Sequence, residues 1–191
     1  MIKALRHWLL LLLTLPALPL TWAGEVDLAA LLKQPGHVIM LRHASAPGIG
    51  DPAGFSLDNC ASQRNLDAGG RAQARAAGEW LRRHGIRPAR IYSSQWCRCL
   101  DTARLLDLGP VIEMPELNNV FTHPQDREAR MRKLGEFLAG LPVNGPLIIL
   151  VSHNRNIHHL TGIDTDSGEG VLLKLNAGPA PDVVGRVYIG N

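Results

Sequence analysis

Two histidines stand directly after short apolar runs. His37-Val38-Ile39-Met40-Leu41 leads into Arg42-His43, and Leu147-Ile148-Ile149-Leu150-Val151 leads into Ser152-His153. Each run has the length and composition of a strand buried on both faces. In an open parallel sheet the carboxyl ends of the strands are where ligands bind. A third strand-like segment, Arg90-Ile91-Tyr92-Ser93, passes through Ser94 into a helix whose first turn carries Arg98, which adds a fixed cation and free backbone N–H groups. Arg42, His43, Arg98 and His153 are all donors or potential donors, and no carboxylate belongs to the same motifs. Such a set suits a phosphoryl group. The cations attract a dianion, a neutral imidazole is nucleophilic near pH 7, and fixed donors stabilise the charge spread over the transferring oxygens. A single histidine after a strand is most often a hydrogen-bonded loop residue; two in matching context, with two arginines, argue for one shared site.

The elements that must position these residues alternate between strand and helix. After the first strand comes a long polar loop, Ala44 to about Leu66, rich in Gly, Pro, Asp and Asn, long enough to form a pocket rim. Asp67 is a plausible N-cap for a surface helix carrying Ala72, Ala76 and Trp80 at helical spacing and ending at Gly85. Ser94 caps the next helix, with Cys97, Leu100, Ala103 and Leu106 toward one side. Val111-Ile112 forms a short strand, and Thr122-His123-Pro124 starts a helix with Met131, Leu134 and Leu138 as its stripe. A short helix runs from Asn154 to Leu160, and Val171–Leu175 and Val184–Ile189 close the sheet. This alternation predicts an α/β chain with a mostly parallel sheet covered on both faces.

Composition restricts the function classes. The 191 residues are 46% apolar and 19% charged, which fits one domain, with no repeat or linker dividing it. The net charge of +3 includes Lys3 and Arg6; without them it falls to +1, and the arginines are dispersed, so nucleic acid is not an expected partner. Lys3 and Arg6 precede the apolar run Trp8 to Leu15, and Thr21-Trp22-Ala23 offers a small-residue cleavage site before Gly24. Residues 1–23 are therefore read as a signal peptide and 24–191 as the exported domain, periplasmic or secreted, with no stable membrane insertion after cleavage. An uncleaved anchor is the weaker reading, because Pro16 and Pro19 break a run already short for a bilayer. In an oxidising compartment the three cysteines invite a disulfide. Cys97 and Cys99 would point to opposite sides of a helix, so Cys60 is the partner of one or the other. Cys-x-Cys with one distant Cys lacks zinc-site spacing, and His153, His158 and His159 have no acidic ligand between them, so no metal site is expected.

Three ordered segments, Leu41-Arg42-His43-Ala44, then Ser93-Ser94-Gln95-Trp96-Cys97-Arg98-Cys99-Leu100-Asp101-Thr102-Ala103, then Val151-Ser152-His153-Asn154, resemble the signatures of the histidine phosphatase superfamily, also called phosphoglycerate mutase-like. Leu66-Asp67-Ala68-Gly69-Gly70-Arg71-Ala72-Gln73-Ala74 resembles the helix start these proteins place after the first loop. The resemblance implies a three-layer α/β/α sandwich and a metal-independent phosphatase without a cofactor. His43 would be the nucleophile that forms a phosphohistidine, with Arg42, Arg98 and His153 holding the phosphoryl oxygens. Asn154 joins the substrate-binding set or caps the following helix, as do Arg155 and Asn156.

The sequence departs from the family at two places. Asn119 occupies the position where many members carry a glutamate as general acid, and an amide cannot serve as one. Glu169, in Ser167-Gly168-Glu169-Gly170, is the leading substitute, with Glu116 and Asp51 as alternatives. Ala44 replaces a usual glycine, which is tolerated where the backbone does not need positive φ. The function implied is hydrolysis of small phosphomonoesters or envelope glycan phosphates such as lipopolysaccharide-core phosphate. The rival readings are a catalytically weak phosphate- or phosphoglycan-binding module, and a cytosolic phosphohistidine-protein phosphatase whose N-terminal segment does not direct export.

Overall fold

Uninterrupted aliphatic sequence forms the centre of the sheet. The computed structural model describes residues 27–88, 90–121 and 124–189; the expected leader and the Thr122-His123 helix start lie outside them. The strands are β1 (His37–Arg42), β2 (Arg90–Ser93), β3 (Val111–Glu113), β4 (Ile148–Ser152), β5 (Glu169–Lys174) and β6 (Asp182–Tyr188). Their order across the sheet is β3-β2-β4-β1-β5-β6. The first four pair in parallel, whereas β5 lies antiparallel to β1 and β6 antiparallel to β5.

Side chains alternate across the pleat, so each central strand feeds two cores. Ile39, Leu41, Ile91, Ile149, Val151 and Leu172 meet α1 (Leu28–Leu32), α2 (Ala68–Arg83) and α3 (Cys97–Leu105) on one face. Val38, Met40, Ile148, Leu150 and Leu173 meet α4 (Arg127–Ala139) and α5 (Asn154–Thr161) on the other. Each fully buried Leu, Ile or Val contributes about 1.5–3 kcal/mol of transfer free energy. The result is a three-layer α/β/α sandwich. Among the described residues no helix is long and apolar enough to cross a membrane.

Several local expectations need correcting. The buried face of α2 is Gly70, Ala74, Ala77, Gly78 and Leu81, while Ala72 and Ala76 are exposed. Alanines fall on every side of this helix, so their spacing gave no direction; Gly70 and Gly78 do. A Cβ on Gly78 would fall on the carbonyl of Leu106, and one on Gly70 on the carbonyl of Ser45, so these two positions let α2 close onto the end of α3 and onto the segment after His43. Asp67 caps α2 as expected, accepting from Gly70 N–H at 2.6 Å. Ser94 is not the cap of α3: the N-cap is Trp96, two residues later, and the Ser94 hydroxyl turns into the site. The helix α4 begins at Arg127 after a 3₁₀ turn over Pro124–Asp126.

The loop after β1 is ordered by polar contacts and a cross-link. Cys60 pairs with Cys97, with Cα atoms 5.7 Å apart, and Cys99 remains a buried thiol. Gln63 donates to the carbonyls of Ser56 and Leu57 and accepts from Cys97 N–H at 3.0 Å.

Gly78→Ala is expected to lower stability by about 1–3 kcal/mol through overpacking against α3. Gly135→Ala, whose Cβ meets nothing, should be neutral or slightly stabilising. Thermal melting checks both; a Gly78→Ala protein melting at or above wild type would contradict the close approach.

Candidate active site

Register brings the two histidines together. Arg42 is paired with Ser152 across β1 and β4, so the next residue of each strand leaves the sheet beside its neighbour. His43 N–H donates to Ser152 O at 3.0 Å, and the imidazoles of His43 and His153 pack edge to face with centroids 5.4 Å apart. The end of β2 joins them, because Ser94 N–H donates to Val151 O and the Ser94 hydroxyl lies 2.9 Å from His153 Nε2.

The His43 ring is held by its own backbone neighbourhood. Nδ1 lies 2.8 Å from Ala44 O, a contact that requires the proton on Nδ1 and leaves Nε2 unprotonated. Arg98 Nε approaches that Nε2 to 3.3 Å. Burial, reinforced by Arg98, Arg42 and Arg64, pushes the His43 pKa down to about 3, so the ring is neutral at neutral pH. Burial likewise holds His153 well below the usual imidazole range. Ala44 is buried with φ outside the left-handed region, which makes the missing glycine harmless.

The cations are fixed by different partners. Arg98 is 1% exposed, and its Nη1 and Nη2 meet the two carboxylate oxygens of Asp51 at 2.8 and 3.3 Å. Arg42 Nη1 donates to Thr165 O, and its Nε is buried with no acceptor among the described residues, an orphaned donor of the kind a bound anion would satisfy. Thr165 is in turn held by Asn154, whose Oδ1 accepts from Thr165 N–H at 2.7 Å and whose Nδ2 donates to Asp164 at 2.9 Å. Asn154 therefore braces Arg42 through the 164–165 segment, and it also lines the cavity beside Arg42 and His153. Asn156 is also internal, bonded to Asn118 O and Val120 N–H.

A cavity of about 310 Å³ opens over this cluster, lined by Arg42, His43, Arg64, Arg98, His153 and Arg155 among others. Among the described residues no Asp or Glu lines it. Asn119 does, at the position where the family resemblance sets an acid. The three substitute acids are not placed to donate a proton there. Glu169 is buried elsewhere, its carboxylate accepting from Arg186 at 2.9 and 3.1 Å and from Asp166 N–H at 2.7 Å. Burial raises its pKa, but those donors outweigh it and hold the group below the usual range. Glu116 lines a separate cleft with Arg130 and Lys133. Asp51 is adjacent to the site, yet burial is again outweighed by Arg98, Trp96 and the Arg64 N–H, which keep it ionised. Cys99 Sγ lies 3.5 Å from His153 Nε2, but burial pushes its thiol up to about 12 and it is no nucleophile. Sequence reasoning missed the roles of Ser94, Asn154 and Asp51. Each is a long-range polar contact with no local periodic signal.

Residues 38–124 match the Histidine phosphatase superfamily (branch 1). No curated protein matches the chain in sequence. The fold is similar to that of an Escherichia coli protein proposed to be an α-ribazole-5′-P phosphatase, with TM-score 0.61 and 18% identity over 83% of this chain and 100% of that one. It is also similar to a mycobacterial glucosyl-3-phosphoglycerate phosphatase complexed with VO3, with TM-score 0.56 and 22% identity over 81% and 99%. The protein histidine phosphatase SixA complexed with tungstate gives TM-score 0.55 and 17% identity over 80% and 96%. At these identities the likeness is one of fold. The sequence match over residues 38–124 and the paired strand-end histidines make the chain similar to the histidine phosphatase superfamily in that segment as well as in fold.

Proposed function

We propose that the protein is a phosphohydrolase that works through a phosphohistidine on His43. The observation that carries this reading is the neutral His43 Nε2, free of its own proton and 3.3 Å from Arg98 Nε, on a cavity with cations and, among the described residues, no carboxylate. His43 Nε2 attacks phosphorus as the bond to the leaving oxygen breaks, and water then cleaves the P–N bond to release phosphate and restore the imidazole. Arg42, Arg98 and His153 hold the phosphoryl oxygens, and the oxyanions bound to two proteins of this fold support a phosphate-sized ligand. His43 also disfavours the rival reading as a phosphate-binding module, since binding alone needs only the cations.

The sequence supports export of residues 24–191 after removal of 1–23, and the Cys60–Cys97 cross-link is compatible with an oxidising compartment. The substrate class is then a small phosphomonoester or an envelope sugar phosphate such as lipopolysaccharide-core phosphate. With no carboxylic acid on the cavity among the described residues, the leaving oxygen departs with little help. A positioned acid is worth roughly 10²–10⁴ in rate.

His43→Ala is expected to abolish phosphate-ester hydrolysis, and Arg42→Ala to lower kcat by about 10²–10³-fold. Near-normal turnover by purified His43→Ala protein would refute the assignment. Across aryl and alkyl phosphates, rates should fall steeply as the leaving-group pKa rises; a flat dependence would reveal an acid in the cavity. The His43 ring should stay neutral from pH 5 to 8 in NMR titrations, because its folded pKa of about 3 lies below the ordinary 6.5. Unfolded chains bind the extra proton first as pH falls, so this group's share of stability is complete above pH 6.5 and is lost as pH drops toward 3. A His43 titration near 6.5 would contradict both statements.

A further inference from the structure

Asp51 stands in the middle of the long loop, yet its side chain is 3% exposed. It is the ionised partner of two residues that face the two histidines. One carboxylate oxygen, Oδ2, accepts from Trp96 Nε1–H at 2.9 Å, and the Trp96 ring packs edge-on against His153 with centroids 5.4 Å apart. Both oxygens take the end of the Arg98 fork, at Nη1 and Nη2, and this turns the remaining Nε–H toward His43 Nε2. Guanidinium and carboxylate planes match in this geometry, so the pairing fixes the orientation of the fork as well as its charge. The Arg64 N–H donates to Asp51 Oδ1 at 3.1 Å, and Arg64 O accepts from Arg98 Nη1 at 3.3 Å, closing the network.

The cross-link lies at the same place. Cys97 is the residue between Trp96 and Arg98, and its partner Cys60 belongs to the Asp51 loop. The disulfide thus ties the loop to the helix start at the point from which both Asp51 partners project. Loops close slowly in entropy with length, and a covalent tie removes that freedom where it matters for the site.

We propose that Asp51 is a positioning residue: a single carboxylate aims the Arg98 fork and the Trp96 ring at the paired histidines, and the Cys60–Cys97 bond keeps its loop in place. The inference rests on the phosphohydrolase reading. It turns a residue without direct substrate contact into a determinant of rate, and it links rate to the redox state of the loop.

The test is a double-variant cycle on an aryl phosphate, with melting curves to confirm folding. Asp51→Asn puts an amide N–H against Arg98 and against either Trp96 or the Arg64 N–H, and kcat is expected to fall by about 10- to 100-fold, the usual consequence of a small misplacement. In an Arg98→Ala background, or Arg98→Lys should the first not fold, Asp51→Asn should cost far less, because groups that act through one another are non-additive. A merely structural Asp51 would lower both backgrounds by the same factor, and that result, or native kcat in Asp51→Asn, overturns the proposal. Cys60→Ser/Cys97→Ser should lower kcat toward the Asp51→Asn value and leave the Asp51→Asn protein unchanged; equal fractional losses in both would overturn the link to the cross-link. Should the wild type hydrolyse no phosphate ester, the functional reading fails, and the same cycle is read from orthovanadate affinity by calorimetry, where non-additivity still supports positioning and additivity overturns it.

Discussion

Backbone hydrogen bonds between β1 and β4 set Arg42 opposite Ser152, and the chemistry at the site follows from that register. A slip of one residue would send every side chain of a strand to the other face. The aliphatic runs forbid it, because Ile39 and Leu41 belong to one core and Val38 and Met40 to the other, with both faces covered by helices. Hydrophobic burial in two layers therefore sets the relative height of two imidazoles at the sheet edge.

The same burial makes the site electrostatically costly. Arg42, Arg64 and Arg98 crowd around one cavity, and each would repel the next in a dry interior. The protein answers in two ways. Both histidines stay neutral, which adds no charge to the cluster, and Asp51 offsets Arg98 where both are out of water. Breaking such a buried pair from one side typically costs about 3–5 kcal/mol. What remains is a cavity with an excess of positive charge and one orphaned Arg42 Nε–H, which is a poor resting place for anything except an anion.

The strands that deliver His43 and His153 were legible as sequence because burial on both faces leaves an uninterrupted aliphatic run. The helix through Arg98 was legible for its apolar side, although Ser94 turned out to serve His153 instead of capping it. The α2 face was not, since alanine packs indifferently and the deciding residues, Gly70 and Gly78, act by lacking a side chain. Cys60 was recognised as a disulfide partner, but the choice of Cys97 over Cys99 depended on a loop path with no periodic signal. Glu169 was expected to supply a proton because it precedes a strand in a glycine-flanked turn. Its ion pair with Arg186, a residue of the neighbouring β6, is a cross-strand contact that local sequence does not encode.

The central claim is that His43 carries the phosphoryl group between substrate and water. Rapid quenching during turnover of an aryl phosphate, under alkaline conditions that spare P–N bonds, followed by peptide mass spectrometry, tests it most directly. The account requires phosphate on the His43 peptide, at a level that rises within the first turnover and vanishes on acid treatment. Hydrolysis at full rate with no phosphopeptide, or with the phosphoryl group on any other residue, would contradict it.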